Sequence, residues 1–284
     1  METLKDEFRV VGTYFKTPVN IPGITCIPCD VLKSDFVFRI TSFVKPDITI
    51  YAVGMSSLKE CQLYPKKAEA LNYGGAVNCC KAAERVSSKF IYISSAFVMN
   101  GLNPIYHEGD TPFSTTVYGN TVSSAEFYIQ RSSLNYIILR CAPLYGTGLN
   151  PAHPNWFETL QLNFAKNIPV VADDSIETGF LDIQILVKIL QETINQNVTN
   201  RLFNVGTQNI MTRYEFAKLY AARFKKDESL IQKGSRSFPT ISKSDSAVSY
   251  SFHLATGNVE EFLSMQMPTI EDSLEFTYKR LIES

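Results

Sequence analysis

Short apolar runs alternate with longer segments of helical periodicity along the first half of the chain. Apolar runs of this length are typical of strands, and segments with apolar residues at helical spacing predict helices. Strands are expected at residues 8–12, 24–29, 48–53, 90–93 and 136–139. Helices are expected between them, at residues 34–44, 65–86 and 118–132, and Phe36, Ile40 and Phe43 share one face of the first helix.

This alternation predicts an α/β fold with a doubly wound parallel sheet, because strand–helix–strand units pack through right-handed crossovers. Ligands in such folds bind beyond the carboxyl ends of the strands. The pattern loosens after about residue 145, where prolines become frequent. We therefore expect a dinucleotide-binding type of domain at residues 1–145 and a smaller substrate-binding lobe at residues 146–284, interleaved with it.

The composition is that of a folded protein with balanced charge. Hydrophobic residues make up 45% of the chain and charged residues 19%, which fits a packed core. A net charge of −1 gives no general attraction to nucleic acid or to an anionic membrane. Three histidines are too few for a histidine-rich metal centre, so no metal is expected. No apolar stretch of about 18 residues occurs, and we expect neither a membrane span nor a secretion signal.

Six cysteines stand at irregular spacings. A chain of this length does not need disulfides for stability, so reduced thiols and a cytoplasmic location are expected. Cys26 and Cys29 form a C-x-x-C pair, which serves zinc or redox chemistry only with a second ligand pair or a helix N-terminus. The sequence shows neither, which favours two small residues of a strand and its loop.

Several motifs occur in the order found in one large enzyme family. They are Val11-Gly-Thr-Tyr14, Cys29-Asp-Val31, Ala52-Val-Gly54, Ile93-Ser-Ser95, Tyr118-Gly-Asn-Thr121 with Glu126, and Leu144-Tyr-Gly-Thr-Gly148. With these motifs the chain resembles the extended short-chain dehydrogenase/reductases from about residue 8 to residue 281. Within them it is most similar to the dTDP-dehydrorhamnose reductase family and to its relative, the regulatory beta subunit of methionine adenosyltransferase.

The resemblance implies a Rossmann-like fold and an NADP- or NAD-dependent reduction of a 4-keto sugar carried by a nucleotide. Tyr118 would be the general acid, Ser95 would donate a hydrogen bond to the carbonyl, and Asn72 would support the catalytic site. The cofactor-binding residues implied in this way are Thr13, Lys16, Asp30, Ala52, Val53 and Gly54. The implied substrate-binding residues are Ser94, Ala96, Phe97, Pro143 and Tyr145.

Structural alternatives stand beside several of these roles. Tyr118 is either a residual catalytic group or a buried hydroxyl with one partner. Asp30 either contacts an adenine or only starts the turn that leads to the first helix. Lys16 either reads a 2′-phosphate or is simply solvated. Trp156 either lines a pocket or packs in the core.

The first departure from the family pattern concerns the cofactor. No G-x-x-G-x-x-G turn, which in the family holds the cofactor pyrophosphate, occurs in the chain. The strand before that turn is also missing, and in a doubly wound sheet it lies centrally. Its loss leaves a gap of about two 4.8 Å strand spacings with unpaired amides. We expect either that the true start lies upstream of Met1 or that the sheet is completed differently, for example by another chain.

The second departure concerns the chemistry. The family's Tyr-x-x-x-Lys places a lysine on the tyrosine's helix face, where it lowers the phenol pKa, but here Val122 stands at that position. An unassisted phenol has a pKa near 10, and losing acid–base assistance costs on the order of 10²–10⁴ in rate. Ala96 and Phe97 also replace a polar Asp-Tyr pair of the family.

Two functions follow from these departures. The first is a nucleotide-sugar reductase with weak or no activity. The alternative is a catalytically degraded family member that acts as a binding or regulatory subunit. The resemblance further implies either a homodimer, formed through helices like those at 65–86 and 118–132, or a subunit of a hetero-complex.

Overall fold

A computed structural model describes residues 1–132, 134–148, 154–234 and 250–283. The strands are β1 (Val11–Tyr14), β2 (Thr25–Pro28), β3 (Ile48–Tyr51), β4 (Lys89–Ser95), β5 (Tyr136–Cys141), β6 (Leu144–Tyr145), β7 (Val170–Asp173), β8 (Ile176–Thr178), β9 (Leu181–Asp182), β10 (Arg201–Val205), β11 (Ile231–Gly234) and β12 (Tyr250–Phe252). The helices are α1 (Ser34–Val44), α2 (Leu58–Leu63), α3 (Pro65–Glu69), α4 (Ala76–Arg85), α5 (Val117–Gln130), α6 (Trp156–Ala165), α7 (Ile183–Asn195), α8 (Arg213–Phe224), α9 (Gly257–Leu263) and α10 (Ile270–Glu283).

The chain folds into two compact units, each built from separate stretches of sequence. The first comprises Met1–Ser94, Thr116–Leu139 and Leu190–Leu202. The second comprises Ser95–Thr115, Arg140–Ile189 and Phe203–Ser284. The predicted division of the chain near residue 145 stays a prediction.

The sheets confirm the predicted α/β class. A four-stranded sheet has the order β10-β5-β4-β3, and β1 pairs with β2 in a sheet of its own. β3 runs parallel to β4, with Ile48 opposite Lys89, and β1 runs parallel to β2. The gap left by a missing central strand stays a prediction.

The core of the first unit lies on β4 and β5. Phe90 and Ile91 of β4 and Ile137 and Ile138 of β5 are fully buried, as expected for parallel strands that are covered on both faces. β3 is more open, because Ile50 keeps 37% of its surface exposed. Burial therefore falls from the middle of this sheet towards β3.

Helix α1 has the predicted bounds, but the residue it buries is Val37. Phe43 is 85% exposed, and Phe36 is exposed as well. α1 packs mainly on α4, and the Arg85 guanidinium lies 4.5 Å from the centre of the Phe38 ring. The shared face of Phe36, Ile40 and Phe43 is consequently not the face that α1 buries.

The long helix predicted at residues 65–86 is interrupted. A π-helical turn, Ala70–Gly75, separates α3 from α4. The Tyr51 hydroxyl donates to the carbonyl of Leu71, 2.8 Å away, within this turn. A side-chain bond from β3 thus satisfies a carbonyl inside the π turn, and helical periodicity contains no signal for such a bond.

An aromatic core holds the second unit together. Phe157, Phe180 and Phe216 are fully buried, and Tyr220 and Ile270 join the same cluster. Buried polar groups also join the strands to the last helix, since the Asp182 carboxylate of β9 accepts from Arg280 Nη2 at 2.6 Å. None of the helices within the described ranges is long and apolar enough to cross a lipid bilayer.

Candidate functional site

The predicted site residues divide between the two units. The first unit holds Thr13, Lys16, Asp30, Ala52, Val53, Gly54, Asn72, Ser94 and Tyr118. The second holds Ser95, Ala96, Phe97, Pro143 and Tyr145. The two sets are therefore described separately.

The residues predicted to contact adenosine lie at the ends of β1 and β2. Thr13 and Lys16 are exposed, and the Lys16 ammonium lies 5.4 Å from the centre of the Phe15 ring. One carboxylate oxygen of Asp30 accepts from the Leu32 amide at 3.1 Å, which forms the turn before α1. The structure thus gives Asp30 its turn-forming role, and its contact with a cofactor stays a prediction.

The turn after β3 presents its backbone to solvent. Ala52, Val53 and Gly54 are exposed, whereas Met55 is buried. Asn72 accepts from the Met55 amide at 2.7 Å and donates to its carbonyl at 3.2 Å. An exposed turn on a fixed support has the geometry of a surface against which a ligand can lie.

Helix α5 aligns Tyr118, Val122 and Glu126 on successive turns, because residues four apart share a helix face. Val122 is 4% exposed and Glu126 is fully buried. The Ser94 hydroxyl of β4 donates to the Glu126 carboxylate. This face of α5 therefore combines a phenol, an apolar position and a buried carboxylate.

Tyr92 lies on the same side of β4 as Ser94, since alternate residues of a strand share a face. Burial raises the pKa of Tyr92 well above its ordinary value, and the nearby Tyr118 and Glu126 raise it further. Tyr92 consequently stays protonated over the physiological range and does not supply a charge to this face.

The two serines at the end of β4 use their hydroxyl groups differently. Ser94 gives its proton to Glu126. The Ser95 oxygen, in the second unit, accepts from the Phe97 amide at 3.2 Å. Accepting that bond leaves the Ser95 proton available for another acceptor. The role of Ser95 as a donor to a carbonyl stays a prediction, and this geometry is compatible with it.

The other predicted residues of the second unit lie in its interior. Ala96 is fully buried, the Phe97 ring lies 4.6 Å from that of Phe252, and the Pro143 carbonyl accepts from Leu181 at 3.1 Å. The Tyr145 hydroxyl lies 2.8 Å from Ser273 Oγ, and burial raises its pKa to about 12. Substrate contacts by these residues stay predictions.

A cavity of about 320 Å³ in the second unit was missed by sequence reasoning. Trp156, Thr159 and Asn163 of α6 line it, together with Asp173 of β7 and Arg213 of α8. The Arg213 guanidinium lies 4.9 Å from the centre of the Trp156 ring. A cation, a carboxylate, an amide and an indole thus converge on a space large enough for a small polar ligand.

Only Trp156 carried a sequence signal for this cavity, and the structure supports both of its alternatives. Its ring packs against Phe180 and Phe216 of the core, and it also lines the cavity. Asp173 and Arg213 had no such signal, because they come from elements that are distant in the sequence.

A groove of about 940 Å³ crosses the surface of the first unit. It lies between the α3–α4 segment, which contributes Glu69 and Tyr73, and α5, which contributes Phe127 and Tyr128. The Tyr73 and Tyr128 rings meet edge to face at 6.5 Å. Burial, and then nearby Cys80 and Glu84, raise the pKa of Tyr128.

Comparison with known proteins identifies the family from the sequence. The model of the RmlD substrate binding domain matches residues 6–281. dTDP-4-dehydrorhamnose reductase from Aggregatibacter actinomycetemcomitans is 28% identical over 222 residues, which are 75% of this chain and 71% of that protein. The beta subunit of methionine adenosyltransferase 2 from Rattus norvegicus is 30% identical over 117 residues, which are 41% of this chain but only 35% of that protein.

A solved structure supports the fold. dTDP-4-dehydrorhamnose reductase from Bacillus anthracis, in complex with NADP, superposes with a TM-score of 0.79 at 18% identity. The superposition covers 92% of this chain and 90% of that one. This similarity confirms the predicted Rossmann-like α/β fold, and at this identity it concerns the fold alone.

Proposed function

Because the chain belongs to the RmlD substrate binding domain family, we propose that it binds a nucleotide-sugar-like ligand and reduces it weakly or not at all. The observation that carries this proposal is Val122, which is buried one turn after Tyr118 on α5. A valine cannot lower the pKa of a phenol by charge, so the ordinary route to an acidic tyrosine is lost at this position.

The cavity of the second unit supports the binding half of the proposal. The Trp156 indole provides a flat apolar surface, and Arg213 brings a guanidinium beside it. Guanidinium groups suit phosphate, and aromatic faces suit planar bases. We assign the nucleotide portion of the ligand to this cavity.

The cofactor proposed with this function is NADP or NAD. The exposed turn Ala52–Gly54, with Thr13 and Lys16, fits the adenosine end of a dinucleotide. When bound, such a cofactor would supply the hydride for carbonyl reduction. Because the chain contains no G-x-x-G-x-x-G turn, its residues do not fit the pyrophosphate in the family's manner, and we expect weak cofactor binding.

The proposed cellular location is the cytoplasm. All six cysteines are free thiols, which suits a reducing compartment. The ligand proposed here is a small molecule, and the net charge of −1 does not favour nucleic acid as a partner.

Calorimetry and an NADPH-oxidation assay test the proposal together. dTDP-glucose is titrated into the full chain, and oxidation of NADPH is followed with dTDP-4-dehydrorhamnose as substrate. We expect dTDP-glucose to bind and turnover to lie on the order of 10²–10⁴ below that of a family reductase, the usual range for lost acid–base assistance. Absence of dTDP-glucose binding would overturn the binding half, and family-level turnover would overturn the catalytic half.

Substitution of Val122 separates lost chemistry from lost binding. Val122→Lys places an ammonium between Tyr118 and Glu126 and should raise turnover at unchanged dTDP-glucose affinity. Val122→Met is the matched control, because it adds an unbranched side chain without charge. Equal turnover in the two variants would show that the charge at this position does not limit the reaction.

A second proposal concerns self-association of the chain, for which the groove of the first unit offers a surface. Phe127 is exposed in the groove, and Glu69 and Arg131 offer opposite charges there. We propose that two copies of the chain associate through it, since opposite charges on one surface suit a self-complementary contact. Light scattering should then give a dimer for the wild-type chain and a monomer for Phe127→Glu, and a wild-type monomer would overturn the homodimer.

A further inference from the structure

Asn100 and Gly101 form an asparagine–glycine pair in a loop of the second unit. In such a pair the glycine amide can attack the carbonyl carbon of the asparagine side chain and release ammonia, because glycine has no Cβ to hinder the approach. Asn100 is half-buried, and the next residue after the pair, Leu102, is 53% exposed. The loop that contains the pair is therefore open to water.

Two hydrogen-bond donors converge on the side-chain oxygen of Asn100. The Tyr106 hydroxyl donates to Asn100 Oδ1 at 2.6 Å, and the Leu102 amide donates to the same atom at 3.1 Å. Paired donors on one carbonyl oxygen stabilise the negative charge that this oxygen gains when its carbon is attacked. The loop thus places the elements of an oxyanion hole around its own asparagine.

The structure holds Tyr106 in position for this contact. Tyr106 is only 3% exposed, and its hydroxyl oxygen accepts from the Asn103 amide at 3.0 Å. A hydroxyl that accepts one hydrogen bond donates the next one more strongly. The backbone carbonyl of Tyr106 also accepts from Asn204 Nδ2 at 2.9 Å. The Tyr106 donor is therefore already oriented towards Asn100 before any reaction begins.

Among the described residues, no hydrogen bond holds either of the two nitrogen atoms that the reaction uses, the Gly101 amide and Asn100 Nδ2. The Gly101 carbonyl, in contrast, accepts from the Ser251 amide at 2.8 Å. A Cβ atom at Gly101, whose φ is +79°, would lie 2.7 Å from Phe252 Cζ. Packing and backbone conformation thus require glycine at this position, and its amide remains available for reaction.

We propose that Asn100 is a site of spontaneous deamidation that the Tyr106 hydroxyl promotes. The Gly101 nitrogen bonds to Asn100 Cγ, the bond from Cγ to Nδ2 breaks, and the proton of the Gly101 amide ends, by way of water, on the ammonia that leaves. Water then opens the succinimide ring and gives an aspartate or an isoaspartate at this position. The step needs no reactant besides water, adds one negative charge beside Tyr106, and does not depend on the proposed function.

Peptide mapping by mass spectrometry tests the proposal on the full chain. The wild type is incubated at neutral pH, folded in buffer and unfolded in guanidinium chloride, and the fraction converted at Asn100 is followed over time. We expect faster conversion in the folded chain, because the fold brings both donors to Asn100 Oδ1. Asn103 is the internal control in the same peptide, since Pro104 after it has no N–H that could attack.

Tyr106→Phe removes one donor and keeps the aromatic ring. Conversion at Asn100 in the folded variant should slow at least about tenfold, since one donor of this kind contributes on the order of 10²–10³ in a closed enzyme site and Asn100 is only half-buried. Tyr64→Phe, at an exposed position of the first unit, should convert like the wild type. Unchanged conversion in folded Tyr106→Phe overturns the proposal, as does wild-type conversion that is no faster folded than unfolded. The second comparison uses the wild type alone and stands even if Tyr106→Phe does not fold.

Discussion

The two units each bury a polar network, and the networks hold their carboxylates in different ways. In the first unit Glu126 accepts from Ser94, on a face of α5 that also carries the buried Val122. In the second unit Asp182 accepts from Arg280 Nη2 at 2.6 Å and from Thr277 Oγ1 at 2.5 Å. Both carboxylates are fully buried, so burial alone does not distinguish a functional group from a structural one.

Location distinguishes the two networks. Ser94 lies at the carboxyl end of β4, an inner strand of the four-stranded sheet, where ligands of α/β folds bind. Asp182 instead joins β9 to α10 and lies beside the Tyr145 hydroxyl and Ser273. We therefore interpret the Asp182 network as a structural link that holds α10 against β9, and the Ser94 network as part of the candidate site.

The largest effect is expected from Arg280→Met, which removes the cation beside Asp182. Removing one partner of a buried ion pair leaves the other charge without compensation, and we expect the free energy of unfolding to fall by about 3 kcal/mol. This is the low end of the usual range because Arg280 is 30% exposed. Urea denaturation measures the loss.

Lys279→Met is the matched control on the same helix. The Lys279 ammonium lies 3.7 Å from the Glu275 carboxylate, and both side chains are exposed. Such exposed pairs four residues apart contribute about 0.5 kcal/mol or less. Equal losses in the two variants would show that the Asp182 network does not fasten α10.

The second-largest expected effect is a loss of stability at alkaline pH, caused by ionisation of Tyr145. Its folded pKa of about 12 lies above the ordinary value near 10 because burial disfavours the phenolate. The resulting stability is complete below pH 10 and is lost as the pH rises towards 12, in total about 2–3 kcal/mol. In urea denaturation from pH 8 to 12, the free energy of unfolding should decline less for Tyr145→Phe than for the wild type.

An exposed phenol controls for general alkaline damage. Tyr64 is 59% exposed, so the free energy of unfolding of Tyr64→Phe should decline with pH as steeply as that of the wild-type chain. If the stability of Tyr145→Phe also declines as steeply as that of the wild type, ionisation of Tyr145 does not cause the loss of stability at alkaline pH.

The spacing of hydrophobic residues correctly predicted those helices and strands whose formation depends on residues close in the sequence. The bounds of α1 are as predicted, and the strand before Ser94 was found. The face that α1 buries was not predictable, because α4 decides it from a distance. The interruption at Ala70–Gly75 and the cavity beside Trp156 likewise depend on partners distant in the sequence.

The smallest effect is expected from Ser94→Ala in the first network. The substitution removes a donor to buried Glu126, and we expect a loss of about 1 kcal/mol in the free energy of unfolding. Ser124→Ala is the matched control on α5, because the exposed Ser124 donates back to the Asn120 carbonyl of its own helix, and this substitution should cost less than about 0.5 kcal/mol. Since Ser94 already gives its proton to Glu126, affinity for dTDP-glucose should fall more in Ser95→Ala than in Ser94→Ala. The reverse order of affinities would move the ligand-facing hydroxyl from Ser95 to Ser94 and make Glu126 part of the ligand site.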